Sequence, residues 1–183
     1  MDLRSLRERP FDLLKALESR ARAIVTGQTP SSSAARDWIG VAFRLGGENF
    51  LAPRTEVREV LNYPGGLTRV PGAKPWINGL ANIRGQLLPI IDLRAYLGSG
   101  MTVPGRLTRV LAINHREIPA GLMVDEVFGF RRFTEAEYVE ELPPTIIRCD
   151  KYLTGAYRRG HESWPVFSLR LLVESPSFQQ AAA

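Results

Sequence analysis

From Trp38 onward the chain is cut into short apolar runs by turn residues, and this punctuation limits what it can build. Sixteen glycines and thirteen prolines spread over 183 residues leave no βαβ rhythm with long helices, which excludes a doubly wound sheet. Trp38 to Leu45 partly alternates, Gly46-Gly47 is a hairpin turn signal, and Asn49 to Ala52 returns. Leu87 to Ile91 is a further apolar run, interrupted by Pro89. Leu107 to Ile113 forms another, followed by Pro119 to Val127, which runs on to Phe133 with a bend at Gly129. Ile146 to Tyr157 includes a strand, and Trp164 to Phe167 is the last. Short helices are expected over Arg54–Leu61, where Val57, Val60 and Leu61 fall at helical spacing, and after the caps Asp92 and Ser168. Thr134 to Glu137 has the form of a capping box opening a single helical turn. Many short strands with close turns argue a barrel or sandwich. The two stretches 37–103 and 104–175 repeat the pattern in kind, which argues paired small barrels within one domain, 37–175.

In front of this domain, Pro10 to Val25 places Phe11, Leu14, Leu17 and Ala21 on one stripe of an amphipathic helix. Gly27 to Ser33 then has a flexible linker's composition, so residues 1–36 read as a helical arm and tether. Such a helix either packs back on its own domain or docks on a partner. The tail, 176–183, is expected to fray.

A search for chemistry finds none. His115 and His161 lie in turns, without a His or Cys neighbour at ligand spacing, so no metal site is expected. No nucleophile elbow and no phosphate-cradling glycine loop occurs, and no cofactor is expected. Asp125 and Glu126 are adjacent on a strand and face opposite ways, which suits salt bridges better than an acid–base dyad. Cys149, the only cysteine, excludes an internal disulfide; it is a small strand residue unless Arg148 lowers its pKa. The chain is not expected to be an enzyme.

Charge bears on partners. Lys and Arg total 24 against 19 Asp and Glu, and only Lys15, Lys74 and Lys151 are lysines. Arginine dominance favours bidentate pairing. The arginines are scattered beside acids, and no basic block or stripe with aromatic interleaving is seen, so nucleic-acid binding is only the alternative reading, through an SH3-barrel interaction module. The first residues are charged and lack the apolar core of a signal peptide, and no apolar run reaches the roughly 20 residues of a membrane span. A cytoplasmic location without membrane insertion is the expectation.

One unit stands out for recognition. Gly79 to Leu97 is apolar on both sides of a polar tip, Asn82-Ile83-Arg84-Gly85, which presents an arginine at a hairpin turn. Asn82-Ile83-Arg84-Gly85 followed by Leu88-Pro89-Ile90-Ile91-Asp92-Leu93 resembles the signature of the CheW-like chemotaxis adaptors. Thr68 to Pro71 and Trp76 to Gly79 precede it in the family's order, and Gly121 to Val127 and Tyr152 to Gly155 follow. Within the family, the Pro10 to Leu14 helix, Ala52-Pro53, Leu142-Pro143-Pro144 and Trp164 to Ser168 are similar to the adaptors of type IV pilus twitching motility.

The resemblance implies a mainly β fold: two five-stranded SH3-like barrels sharing a core, with short helices. It implies no catalysis, no cofactor and no small-molecule substrate. Its partners would be a CheA-like histidine kinase and the cytoplasmic hairpin tip of a methyl-accepting receptor, at membrane receptor arrays. The family's kinase contact resembles Val57 and Glu59. Its receptor groove resembles Gly79, Asn82, Arg84 and Gly85, with Phe130 at the far wall. The chain departs from the family pattern at Pro53 and at Val60-Leu61. For Val57 and Phe130 core packing remains open, for Gly79 a packing role, and for Arg84 an intrachain salt bridge.

Overall fold

The computed structural model describes residues 37–180. The helix expected at Pro10 to Val25 and its linker lie outside the described residues. Eleven strands are described: β1 (Trp38–Leu45), β2 (Glu48–Pro53), β3 (Val57–Asn62), β4 (Ile77–Ile83), β5 (Gln86–Asp92), β6 (Arg109–Ile113), β7 (Gly121–Val124), β8 (Glu126–Phe133), β9 (Tyr138–Val139), β10 (Leu153–Arg159) and β11 (Glu162–Phe167). They form a six-stranded sheet in the order β8-β1-β2-β11-β10-β9 and a five-stranded sheet in the order β3-β6-β7-β5-β4. Each curls around its own core, so the mainly β, two-barrel expectation holds. One strand more than expected comes from the two-residue β9, paired to β10.

The sequence halves are not the barrels. β1 and β2, from the start of the domain, pair with β8 and β11, while β3 to β7 make the second sheet. The chain changes sheet at Asp125, which separates β7 from β8 and breaks the single strand expected from Pro119 to Phe133. Its carboxylate accepts a hydrogen bond from the Gly46 N–H at 2.6 Å, and its own N–H donates to the Arg44 carbonyl. The expected bend at Gly129 is an irregularity in the β1–β8 pairing, opposite Ala42 and Phe43.

Period-two alternation explains the core. On β1, Val41, Phe43 and Leu45 face a shared core, and Ala42 faces the six-stranded barrel's interior with Leu51, Phe133, Tyr157 and Trp164. On β6, Leu111 and Ile113 face the shared core, and Val110 and Ala112 face the five-stranded interior with Ala81, Leu88, Ile90 and Met123. Strands buried on both faces lose the clean apolar–polar alternation, and the sequence shows it only in part there.

The Arg54–Leu61 helix is not formed. A 3-10 turn, Arg54–Glu56, leads directly into β3, which pairs with β6. A bulge between Val57 and Glu59 inserts one residue, so apolar side chains recur at a spacing that imitates a helix. The capped elements are as read. Asp92 caps α1 (Leu93–Tyr96), accepting from the N–H groups of Arg94 and Ala95. Ser168 caps α2 (Leu169–Val173), and Thr134 with Glu137 forms the capping box.

The tail does not fray at 176. α3 (Pro176–Gln179) buries Phe178, whose ring stacks on Trp76 at 5.8 Å and meets Tyr96 edge-on at 5.4 Å. One apolar anchor with an aromatic seat outweighs the weak propensity of a short polar tail.

Candidate functional site

The tip of the β4–β5 hairpin begins with its turn. Ile83 pairs with Gln86, leaving Arg84 and Gly85 as a two-residue loop, with φ of 52° and 84°. Both values are left-handed, as a type I′ turn requires. Glycine or asparagine suits that conformation, and arginine bears a steric cost there. Arg84 is the one non-glycine residue among those described with positive φ. The Asn82 side-chain oxygen accepts from the Gly85 N–H at 2.9 Å and holds the turn closed. The strain is thus retained at one exposed residue, with a neighbour bracing it.

The Arg84 side chain is 79% exposed, and its Nη2 lies 2.9 Å from Glu59 Oε2 on β3. The intrachain pair left open by the sequence therefore forms. It joins a residue expected at the receptor groove to one expected at the kinase contact. β3 and β4 are the two edges of the five-stranded sheet, so this pair also spans the seam where that sheet curls round. A pair so exposed contributes about 0–1 kcal/mol, which leaves the guanidinium free to exchange partners.

The base of the hairpin is fixed. Gly79 is buried at φ 142°, and a Cβ there would meet the Thr68 carbonyl oxygen at 2.6 Å. The Thr68 and Leu80 backbones exchange hydrogen bonds, directing Leu80 away from Pro89. Pro89 thus occupies a strand position where its missing N–H is not needed.

Two of the expected contact residues are buried. Val57 is 2% exposed and packs in the shared core, and Gly79 lies beneath Thr68. Neither offers a surface, and both open alternatives resolve to packing. Asn82, Arg84 and Gly85 are exposed together at the tip, and half-buried Glu59 joins them through Arg84.

Phe130, on β8, is 63% exposed, so core packing is excluded for it. It lines a groove of about 510 Å³ with Ile39, Arg54, Arg131, Arg132 and Arg159. The Arg54 guanidinium sits over its ring, 5.4 Å from the centre. This groove is distinct from the pocket formed by Arg58, Glu59, Ile83, Arg84 and Gln86. The turn Arg54–Glu56 and β3 connect them along the chain. The cluster corrects the reading that no arginines interleave with aromatics. Phe128-Gly129-Phe130-Arg131-Arg132-Phe133 is continuous in sequence, and folding adds Arg54 and Arg159 from distant segments.

The remaining candidates are structural. Glu126 pairs with Arg44 at 2.5 Å, the salt bridge expected of it, whereas Asp125 lies off the strand, between β7 and β8, and holds the Gly46 turn by accepting from the Gly46 N–H. Cys149 is fully buried, and burial pushes its thiol up to about 11, the opposite of activation. His115 Nδ1 accepts from the N–H groups of Glu117 and Ile118 and closes its own turn. Among the described residues, no group of three His, Cys, Asp or Glu is placed to hold a metal ion. No described helix is long and apolar enough to cross a membrane.

Comparison with known proteins bears on the family and the fold. A family model described as CheW-like domain matches residues 40–177. The protein PilI of Pseudomonas aeruginosa is 39% identical over 173 residues, covering 94% of this chain and 96% of that protein. The chemotaxis protein CheW of Klebsiella aerogenes is 27% identical over 155 residues, covering 82% of this chain and 92% of that one. The crystal structure of the scaffolding protein TtCheW from Thermoanaerobacter tengcongensis superposes with a TM-score of 0.67 at 24% identity. It covers 80% of this chain and 99% of that one, and supports the fold.

Proposed function

The chain belongs to the CheW-like adaptor family, and from that premise we propose that it couples a methyl-accepting receptor to a CheA-like histidine kinase in the control of type IV pilus twitching motility. The likeness to PilI over nearly the full length supports the pilus assignment. The observation that carries the coupling role is Arg84: strained, exposed, and braced by Asn82 and Glu59 at the end of a rigid hairpin. A guanidinium in that position forms charge-assisted hydrogen bonds with a partner's carboxylate or carbonyl groups. The receptor tip is a helical hairpin, so its docking is helix-in-groove. The receptor side comprises Asn82, Arg84, Gly85 and Phe130, and Glu59 faces the kinase.

No chemistry is needed for such coupling. A receptor group that takes Arg84 leaves Glu59 with only Arg58, 3.7 Å away, and changes what the kinase meets on β3. The coupling is then a difference in free energy between two interfaces, typically about 1–3 kcal/mol. The protein works where the receptors lie, recruited to their arrays by the tip. Calorimetry with the cognate receptor tip tests the reading. Arg84→Glu abolishes binding while the unfolding transition stays in place; unchanged affinity would remove Arg84 from the interface.

A further inference from the structure

The tail is fastened to the domain at one point. Between Glu174 and Gln180 only Phe178 is buried, and α3 has four residues, far short of a helix that is stable by itself. Its side-chain contacts are neutral and reach the surface. The Tyr96 hydroxyl lies 2.8 Å from Ser177 Oγ and 3.2 Å from Ser175 Oγ, and Gln179 donates to the Val173 carbonyl at 3.3 Å. Water replaces such contacts at little net cost. The seat, in contrast, is built without the tail. Trp76 meets Tyr96 edge-on at 5.1 Å, and its carbonyl accepts from the Asp92 N–H at 2.8 Å. The Tyr96 hydroxyl is 2.8 Å from that of Tyr152, which is 2% exposed and whose carbonyl accepts from the Ser168 N–H. The walls thus belong to the foot of the β4–β5 hairpin, to α1 and to the 3-10 turn Asp150–Tyr152.

We propose that α3 is a strap on a preformed seat: it lifts from Trp76 and Tyr96 while both sheets stay folded, and the seat then receives an aromatic-anchored segment of another chain that carries hydroxyls at the tail's own spacing. The tail itself shows the chemistry of the occupant. In Ser175-Pro176-Ser177-Phe178 the ring packs against Trp76 and Tyr96, and hydroxyls one and three residues before it meet the Tyr96 hydroxyl. A single ring gives a large apolar contact with a fixed geometry, so one residue suffices as an anchor. A segment with so few buried apolar contacts opens at a fraction of the global unfolding free energy. While closed, the strap keeps other segments out, and the fraction of time it is open sets the apparent affinity of the seat. Trp76 precedes β4 and Asp92 ends β5, so an occupant meets the hairpin at its foot, the end away from Arg84.

Hydrogen exchange on the full chain reads the opening. The Phe178 and Gln179 N–H groups donate to the Ser175 carbonyl, and that of Gln180 donates to Pro176. These amides exchange about a hundredfold faster, or more, than those of Leu111 and Ala112 on β6, which report on the folded sheets. Exchange of both sets at one rate would make α3 a fixed part of the fold and overturn the strap. A synthetic peptide, Glu-Ser-Pro-Ser-Phe-Gln-Gln, reads the seat. Titrated at millimolar concentration into the full chain carrying Phe178→Ala, it restores the blue-shifted tryptophan emission that the variant loses. The same peptide with Ala in place of Phe does not, and the wild type, its own tail in place, binds the Phe peptide at least about tenfold more weakly. A variant that keeps its β6 amides protected yet fails to bind the peptide overturns the proposal, as does equal binding of the Ala peptide or of the wild type. Loss of β6 protection in the variant also overturns it, because the tail would then be needed for folding.

Discussion

At the scale of single residues, stability and recognition part company at Arg84. Its left-handed backbone costs about 1–2 kcal/mol, and its exposed pair with Glu59 returns about 0–1 kcal/mol. Arg84→Gly is therefore expected to leave the denaturant midpoint nearly unchanged or slightly raised, while receptor-tip affinity falls by more than tenfold. Chemical denaturation alongside calorimetry checks both halves, and a large loss of stability would mean that the arginine is structural. Gly79 behaves in the opposite way. Gly79→Ala adds a Cβ 2.6 Å from a backbone oxygen at φ 142° and costs at least about 1–3 kcal/mol. Cys149 gives a pH test. Its folded thiol sits at about 11 against an ordinary 9, so its contribution is fully present below pH 9 and fades as the pH rises from 9 through 11. Across that window the wild type loses stability relative to Cys149→Ala. At pH 8 a thiol reagent labels Cys149 only as fast as the domain opens, and prompt labelling of the native protein would contradict its burial.

Elements hold the site in place through a few shared polar anchors. Asp92 ends β5 and caps α1, and it also accepts from the Thr102 N–H at 2.7 Å and hydroxyl at 2.9 Å, all in full burial. One carboxylate thus fixes the base of the β4–β5 hairpin, the helix after it and the following loop. Asp92→Ala removes a cap and strands the Thr102 donors, at about 2–4 kcal/mol, seen as a lowered unfolding midpoint. Asp92→Asn retains part of the capping. Glu56 plays a similar part at the other end, accepting from the Ser168 hydroxyl and the Arg170 N–H, so the start of β3 is tied to α2. α3 closes over Trp76, the residue just before β4. Phe178→Ala empties that seat and costs about 3 kcal/mol, with Trp76 fluorescence shifting to the red as water reaches the ring.

For the whole molecule, local patterns made some levels of structure legible and left others out. Asp92, Ser168 and the Thr134–Glu137 box were readable because capping is local chemistry at fixed spacing. The Gly46-Gly47 and Arg84-Gly85 turns were readable for the same reason. The Arg54–Leu61 segment misled because a bulge on β3 changes the apolar period, and bulges depend on the partner strand. The division into halves misled because β1 and β2 close the barrel built by the last strands, a long-range pairing with no local mark. Of the site residues, Asn82, Arg84, Gly85 and Phe130 are displayed, whereas the burial of Val57 and Gly79 follows from neighbours far along the chain. The basic groove shows the same limit. Phe130-Arg131-Arg132 is visible in sequence, but Arg54 and Arg159 reach it only through the fold. Two sheets pack around one shared core, and under the proposed role the two edges of the five-stranded sheet would meet different partners. The most direct test is light scattering on a mixture of the full chain, the receptor tip and the kinase's regulatory domain. A complex containing all three, reduced to chain plus kinase domain by Arg84→Glu, is the expected result. Mutually exclusive binding of tip and kinase domain, or an intact ternary complex with Arg84→Glu, would contradict the account.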